Sequence, residues 1–327
     1  MEGKKWRVAV IGCGLFANAQ YLPNIEKEGD AVCVAAVDVV FERAEAVCRK
    51  YGVEHAYHDV YELLENCDFD IAIDAASIPA HHEINMAVLA AGKHLISQKP
   101  AAPSVELMTR QLQLAREKGV GFVCAPVHPM RYDIHMAKQW MRDGAIGRAY
   151  YIKCNSSHGG PEYFQYRDAD PSWFYEDGAG ALADMGVHGL QMVTALFGPA
   201  DSVACAGMVS AEERTVRSGA FDGKKIRCGS PDQYLITLTF PGGRMALVDT
   251  GFAQKATKAP QLEIFGEEGT ISFTKPYMTN PKPELYMDCP QRGVRGWVTA
   301  EDWVTHEEKL GSQCCILKDL IRSIETG

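Results

Sequence analysis

No apolar run in the 327 residues approaches the roughly 20 that a membrane helix needs, so no membrane partner is expected. The first apolar stretch, Val8 to Ile11, is too short for a secretory leader and runs into Gly12 and Gly14. The eleven cysteines contain no C-x-x-C pair and no ligand-like spacing, even at the adjacent Cys314 and Cys315. They read as free thiols in a reducing compartment, which points to the cytoplasm and to no metal site. No block of basic residues is present. Lys and Arg total 33 against 42 Asp and Glu, for a net charge of -9, which argues against a nucleic-acid partner. The same scatter of cations disfavours a phosphosugar. No repeat recurs at a fixed period.

What is present divides into two patterns. Short apolar runs at Trp6–Ile11, Ala31–Val37, Ile71–Ala76, His94–Ser97 and Val120–Cys124 suit strands buried on both faces of a parallel sheet. Helical patterns lie between them. Asp59-Val60-Tyr61-Glu62 has the form of a capping box. Ile84, Ala87, Val88 and Ala91 share a face and stop at Gly92, and Val105, Met108, Leu112 and Ala115 do the same before Gly119. The pattern changes near Pro126. After a helix at about Tyr132–Arg142, period-2 strands dominate at Ala149–Asn155, Tyr234–Phe240, Arg244–Asp249 and Leu262–Phe265, with Pro241-Gly242-Gly243 as a hairpin turn. Ala211–Ser230 reads as a polar surface loop. The expected fold is α/β: a Rossmann dinucleotide-binding domain over 1–125, then an α+β domain over 126–327 with a large, mainly antiparallel open sheet.

Gly12-Cys13-Gly14-Leu15-Phe16-Ala17 fits G-x-G-x-x-[G/A] after a strand and at the start of a helix, the context that this motif requires. Gly12 suits the tight turn, Gly14 the close approach of a pyrophosphate, and Ala17 the packing of helix on strand. Asp38 ends the second strand. An acid there accepts hydrogen bonds from ribose hydroxyls and repels the extra phosphate of NADP, so NAD is favoured over NADP. The rival reading is that Asp38 only caps the next helix.

Two later segments carry more information. Gly92-Lys93-His94-Leu95-Ile96-Ser97-Gln98-Lys99-Pro100 resembles the A-G-K-H-V-x-x-E-K-P signature of the glucose-fructose oxidoreductase / inositol dehydrogenase (Gfo/Idh/MocA) family. Gly178-Ala179-Gly180-Ala181-Leu182-Ala183-Asp184-Met185-Gly186-Val187-His188 resembles its G-G-G-x-L-x-D-x-G-x-H segment, and Ile264–Thr270 resembles its late hairpin. The similarity runs over nearly the whole chain. It implies Lys99, Asp184 and His188 as the catalytic polar groups, and a homodimer or homotetramer built through the second domain's sheet. Gln98 stands where the family has Glu, and Gln191 where it often has Asp.

The chemistry suits the residue types. Hydride transfer at a carbinol carbon needs its hydroxyl to lose or gain a proton, work for which imidazole is suited. Asp184 and His188 are four apart, so on a helix they share a face. Lys99 lies just past a strand, at the carboxyl edge where ligands bind in open α/β sheets. The cofactor side is expected at Gly12, Gly14, Leu15, Phe16, Ala17, Asp38, Ser77, His81, Gln98 and Lys99. The substrate side is expected at Arg131, His158, Trp173, Tyr175 and Asp184, with core packing as the rival for the aromatic rings. The leading expectation is an NAD-dependent dehydrogenase or reductase acting on a sugar, glycoside or cyclitol. The alternatives are a glycosidase that uses tightly bound NAD for transient oxidation and a nucleotide-binding sensor without catalysis.

Overall fold

The computed structural model describes residues 5–27, 30–164, 170–176, 179–274, 283–298 and 314–327. Gly178, the first residue of one segment quoted above, lies outside them. The chain divides into two units: Met1–Val127 with Gly311–Gly327, and His128–Leu310.

The first unit is built on β1 (Trp6–Ile11), β2 (Ala31–Val37), β3 (His55–Tyr57), β4 (Ile71–Asp74), β5 (His94–Ser97) and β6 (Phe122–Cys124). All pair in parallel, in the order β3-β2-β1-β4-β5-β6. Chain order reverses beside β1, which opens a crevice at the strands' carboxyl ends. Val8, Ala9, Val10, Ala72 and Ile73 are fully buried, as sheet positions covered on both faces must be. Helices α1 (Phe41–Tyr51), α2 (Val60–Asn66), α3 (His81–Ala90) and α4 (Val105–Lys118) make the crossovers. Asp59 caps α2 by accepting from the N–H groups of Tyr61 and Glu62, while Glu62 accepts from His58 N at 2.8 Å. Gly119 ends α4 in the left-handed region at φ 66°.

The last helix, α8 (Cys315–Thr326), packs with this unit and not with the domain expected over 126–327. Its amphipathic face explains the difference. Ile316, Leu317, Leu320 and Ile321 are buried, and a Cβ on Gly121 would meet Leu320 Cδ1 at 2.6 Å, so glycine beside β6 makes room for the helix. Trp6 Nε1 donates to Glu325 at 3.2 Å from the same helix.

The second unit carries an eight-stranded sheet. Its strands are β7 (Ala149–Ser157), β8 (Ser202–Met208), β11 (Gln233–Phe240), β12 (Arg244–Gly251), β13 (Leu262–Gly266), β14 (Gly269–Phe273), β15 (Glu284–Cys289) and β16 (Val294–Val298), in the order β16-β15-β14-β13-β7-β12-β11-β8. Every pairing is antiparallel except β7 with β12. Helices α5 (Tyr132–Arg142) and α7 (Val187–Phe197) supply the core opposite Ile152, Ile236, Val248 and Ile264; the short α6 (Pro161–Phe164) follows β7. The segment read as a surface loop instead holds a small antiparallel sheet of β9 (Glu213–Thr215) and β10 (Lys225–Arg227). Val216, Ile226 and Cys228 anchor it on Phe174 and Phe252. Those few apolar residues stabilise it within an otherwise polar stretch, which conceals it from a composition-based reading.

Candidate active site

The cofactor side grows from the carboxyl edge of the parallel sheet. The ladder continues one step past the strands: Gly12 N donates to Val37 O at 2.8 Å, Ala75 N to Ile11 O at 2.7 Å, and Gln98 N to Asp74 O at 2.8 Å. Gly12, Asp38, Ala75 and Gln98 therefore line one edge. Gly12 has φ 92°, and a Cβ there would lie 2.6 Å from the backbone of Ala75 and Ala76. Glycine is obligatory at that point. A Cβ on Gly14 would meet nothing within 4 Å, which leaves open space above the turn. That is the cradle a pyrophosphate needs. Asn18 Nδ2 fixes the turn by donating to Cys13 O and Gly14 O at 3.0 and 3.1 Å.

Asp38 is 7% exposed and accepts from Cys13 N and Val40 N, both at 2.9 Å. It does not cap α1, whose N-cap is Val40 without a side-chain bond. Its carboxylate instead ties the end of β2 to the glycine turn, the place where an adenosine ribose is read. Burial and the Asp38 carboxylate push the Cys13 thiol up to about 12, so this neighbour stays an uncharged thiol. Leu15 is exposed, Phe16 meets Tyr21 edge-on, and Ala17 is fully buried against the sheet, in keeping with the need for a small residue. The helix expected here is one short turn with π character, Ala17–Tyr21; Pro23, which has no N–H, follows at once. Nicotinamide dinucleotides, when bound, supply the hydride acceptor or donor; this chain's residues fit that group at the turn and at Asp38.

Three expectations on this side resolve differently. Ser77 is exposed at the turn after β4. His81 is 1% exposed, and its Nδ1 lies 2.6 Å from Oδ2 of the fully buried Asp74, whose Oδ1 accepts from Ala76 N. Buried in that way, His81 has no surface to offer a nucleotide. It shapes the turn whose backbone faces Gly12. Gln98 is buried and donates through Nε2 to the Tyr21 hydroxyl. Burial raises that phenol, which keeps it a neutral partner for a neutral amide. Half-buried Lys99 follows, joined to Pro100 by a cis peptide.

In the second unit the polar groups gather on the helix-covered sheet face. Asp184 sits in a π turn, Leu182–Gly186, that runs directly into α7 with His188 in its first turn. Two glycines permit this. A Cβ on Gly189 would lie 2.5 Å from Val248 Cγ1 and 3.1 Å from Ser156 Cβ, so α7 lies directly on β7 and β12. A Cβ on Gly186 would lie 2.6 Å from Leu182 Cδ1. Ser156 Oγ locks the turn by donating to Met185 O at 2.7 Å. Asp184 and His188 are 6% and 8% exposed, so both are desolvated.

His158 joins Asp184: its Nε2 lies 4.0 Å from Asp184 Oδ2, and its ring stacks on Phe252. Gly160 N donates to His158 Nδ1 at 2.9 Å, so the neutral ring carries its proton on Nε2, toward the carboxylate. The expected substrate roles of Tyr175 and Arg131 are corrected. Tyr175 is 7% exposed, packs edge-on against Phe252 and donates its hydroxyl to Glu162, so it belongs to the core. Burial, then the Glu162 bond, raises its phenol. Arg131 is 4% exposed, bound to Asp133 and to His128. Trp173 is half-buried and stacks on Phe174.

Sequence reasoning missed two side-chain networks. In one, Arg214 holds Glu162 Oε1 at 2.7 Å and Asp232 Oδ2 at 2.6 Å beneath Tyr175. In the other, His128 Nε2 lies 2.8 Å from His188 Nδ1, with Arg131 and Asp133 behind it. Neither carries a local spacing signal. Among the described residues no group of three His, Cys, Asp or Glu is placed to hold a metal, and no helix is long and apolar enough to cross a membrane.

Comparison with known proteins agrees with this geometry. Residues 6–125 match the oxidoreductase family model with NAD-binding Rossmann fold, and residues 134–272 match the GFO/IDH/MocA C-terminal domain. Curated relatives include myo-inositol 2-dehydrogenase of Thermotoga maritima, 23% identical over 291 residues that cover 89% of this chain and 80% of the relative. Levoglucosan dehydrogenase of Pseudarthrobacter phenanthrenivorans is 27% identical over 282 residues, covering 81% and 70%. A solved levoglucosan dehydrogenase in complex with NADH and L-sorbose shares the fold at TM-score 0.79 and 22% identity, over 98% of this chain and 89% of that one. With both units matched by models of one family, the chain belongs to the GFO/IDH/MocA family of NAD-binding oxidoreductases.

Proposed function

We propose that this protein is an NAD-dependent dehydrogenase or reductase acting on a hydroxyl-bearing carbon of a sugar, glycoside or cyclitol. The observation that carries the substrate class is the pairing of buried Asp184 with the Nε2–H side of His158. A carboxylate accepts from one hydroxyl while an imidazole N–H donates to the next, as adjacent hydroxyls of a polyol require. The buried guanidinium groups of Arg131 and Arg214 bind carboxylates of the protein itself, which favours an uncharged polyol over a phosphosugar. Relatives named for inositol and levoglucosan dehydrogenation support the same class. Trp173 offers an aromatic surface for the apolar face of a ring. Lys99, Asp184 and His188 are assigned the polar work at the reacting hydroxyl, and Gly12, Gly14 and Asp38 the work of holding NAD in preference to NADP.

The outer face of the eight-stranded sheet supports a homodimer or homotetramer. Leu235, Met245 and Trp297 are 51%, 46% and 56% exposed there, apolar surface of the kind that a second copy of this chain covers. All eleven cysteines are free thiols, which supports a reducing, cytoplasmic setting.

The test is a panel of sugars, glycosides and cyclitols with NAD and NADP, followed by NADH absorbance. One compound class should turn over with NAD, and Lys99→Ala should lower turnover ~100-fold or more. Glycoside cleavage without net NADH would transfer the assignment to a transient-oxidation glycosidase. Tight NAD binding with no turnover of any kind would leave a sensor.

A further inference from the structure

One cavity of the second unit is separate from the candidate polyol site. Its volume is about 390 Å³, within the ~300–1,000 Å³ of small-molecule sites, and none of His158, Asp184 and His188 lines it. It forms where α6, the segment of β9 with Arg217, and the loop after β12 meet. Gly159 lets two of these approach: a Cβ there would lie 2.7 Å from Tyr163 Cδ1 and 3.2 Å from Lys255 Cα. Arg217 N ties in the third by donating to Glu162 O at 3.3 Å, and the adjacent Val216 is buried in the core.

Charge in this cavity is unevenly matched. The two carboxylates among its described lining residues are committed, Glu162 to Arg214 and Tyr175, and Glu213 to Lys225 at 2.9 Å. Arg214 is committed in return, to Glu162 and Asp232. Arg217 and Lys255 are left. Both are exposed, and their charged groups lie 5.0 and 5.8 Å from the centroid of one ring, that of Tyr163. Among the described residues no carboxylate pairs with either. An aromatic ring draws cations to its face but does not cancel their charge. The chain has carboxylates in excess, with a net charge of -9, yet it sets none of the described ones against this pair.

We propose that this cavity binds a small organic dianion, a dicarboxylate or a phosphomonoester, whose charged groups rest on Arg217 and Lys255. Two unpaired cations match two negative charges. The guanidinium fork suits the paired oxygens of a carboxylate or phosphate, and the ammonium adds a point charge. The cavity has room for an organic body beside the charged groups, with the Tyr163 ring as one wall. The site is additional to the Asp184–His158 pair and does not rest on the dehydrogenase reading.

The test is calorimetric titration of the full chain at low ionic strength with succinate, glycerol 3-phosphate, inorganic phosphate and glycerol. Succinate or glycerol 3-phosphate should bind at one site per chain, more tightly than inorganic phosphate, and glycerol should give no binding. The tighter of the two organic probes tells dicarboxylate from phosphomonoester. Arg217→Gln and Lys255→Gln should each weaken that binding ~10-fold or more, the loss of one charge-assisted hydrogen bond. Both side chains are exposed, so both variants should keep the wild-type melting temperature. Lys258→Gln removes the same charge from an exposed position of the same loop that does not line the cavity, and it should bind as the wild type does. Absence of binding by both organic dianions at millimolar concentration overturns the proposal. So does undiminished binding in Arg217→Gln and Lys255→Gln, an equal loss in Lys258→Gln, or inorganic phosphate that binds as tightly as the organic probes. The titration needs neither NAD nor turnover, so its failure leaves the dehydrogenase reading standing.

Discussion

The two units build their candidate sites from different materials. In the first, the main chain does most of the work: a glycine that no other residue can replace, a turn opened by a second glycine, and one carboxylate tied to backbone N–H groups. In the second, side chains hold side chains. Arg214 joins α6 to Asp232, and His128 joins Arg131 to a helix that begins almost sixty residues later. A backbone site is written in a few adjacent residues and tolerates change around it. A side-chain network spreads over the chain, and each member leaves another buried group unsatisfied when it is lost.

The largest effect expected from this contrast is in the second unit. Arg214→Ala would strand Glu162 and Asp232, which are 5% and 1% exposed. Removing one partner of a buried ion pair costs about 3–5 kcal/mol, because the remaining charge is left desolvated. Chemical denaturation should register a loss of that size, and Tyr175 should become mobile as Glu162 shifts. A loss under about 1 kcal/mol would mean that the network is surface-like and the contrast is overdrawn.

Next come the two glycines of the cofactor turn, which should separate stability from binding. Gly12→Ala places a Cβ 2.6 Å from main chain that cannot move aside, at a φ that side chains rarely adopt. Strain of this kind costs about 1–3 kcal/mol, so both the melting temperature and NAD affinity should fall. Gly14→Ala meets no protein atom within 4 Å. Its stability should stay within about 0.5 kcal/mol of the wild type, while NAD titration shows weaker binding. If Gly14→Ala bound NAD normally, the open space above the turn would not be the pyrophosphate site.

The same contrast governs what the sequence disclosed. The sheet order, the turn at Gly12 and the cap at Asp59 were legible because each follows from residues within a few positions of one another. Asp38 was legible for the same reason, as the last residue of its strand. His81 was misread because its position beside the crevice is local information, whereas its burial on Asp74 is not. Ala211–Ser230 read as a loop because it is polar and contains glycines. Arg214 lies within that segment, and the groups that make it a core residue are 52 and 18 positions away. Lys99, Asp184 and His188 were expected from resemblance and chemistry. The contact between His128 and His188 joins residues sixty positions apart, which no periodicity or motif announces.

The smallest effect sharpens the comparison from the other side. Lys224 bonds Asp170 at the entrance to the Pro171–Tyr175 turn, with both side chains 40% exposed. The lysine, aided by Ser172, holds the Asp170 carboxyl down at about 2, from an ordinary 3.8. A depressed folded-state carboxyl stabilises the protein above the unfolded value and loses that contribution as pH falls through the folded one. Solvent screening limits such a pair to about 0.5 kcal/mol. Lys224→Met should therefore be slightly less stable than the wild type at neutral pH. The gap should close between pH 3.8 and about 2, where Asp170 protonates in both proteins. Acid titration of the melting temperature distinguishes this from the Arg214 network. A gap for Lys224→Met as wide as that for Arg214→Ala would show that this surface pair also belongs to the second unit's interior.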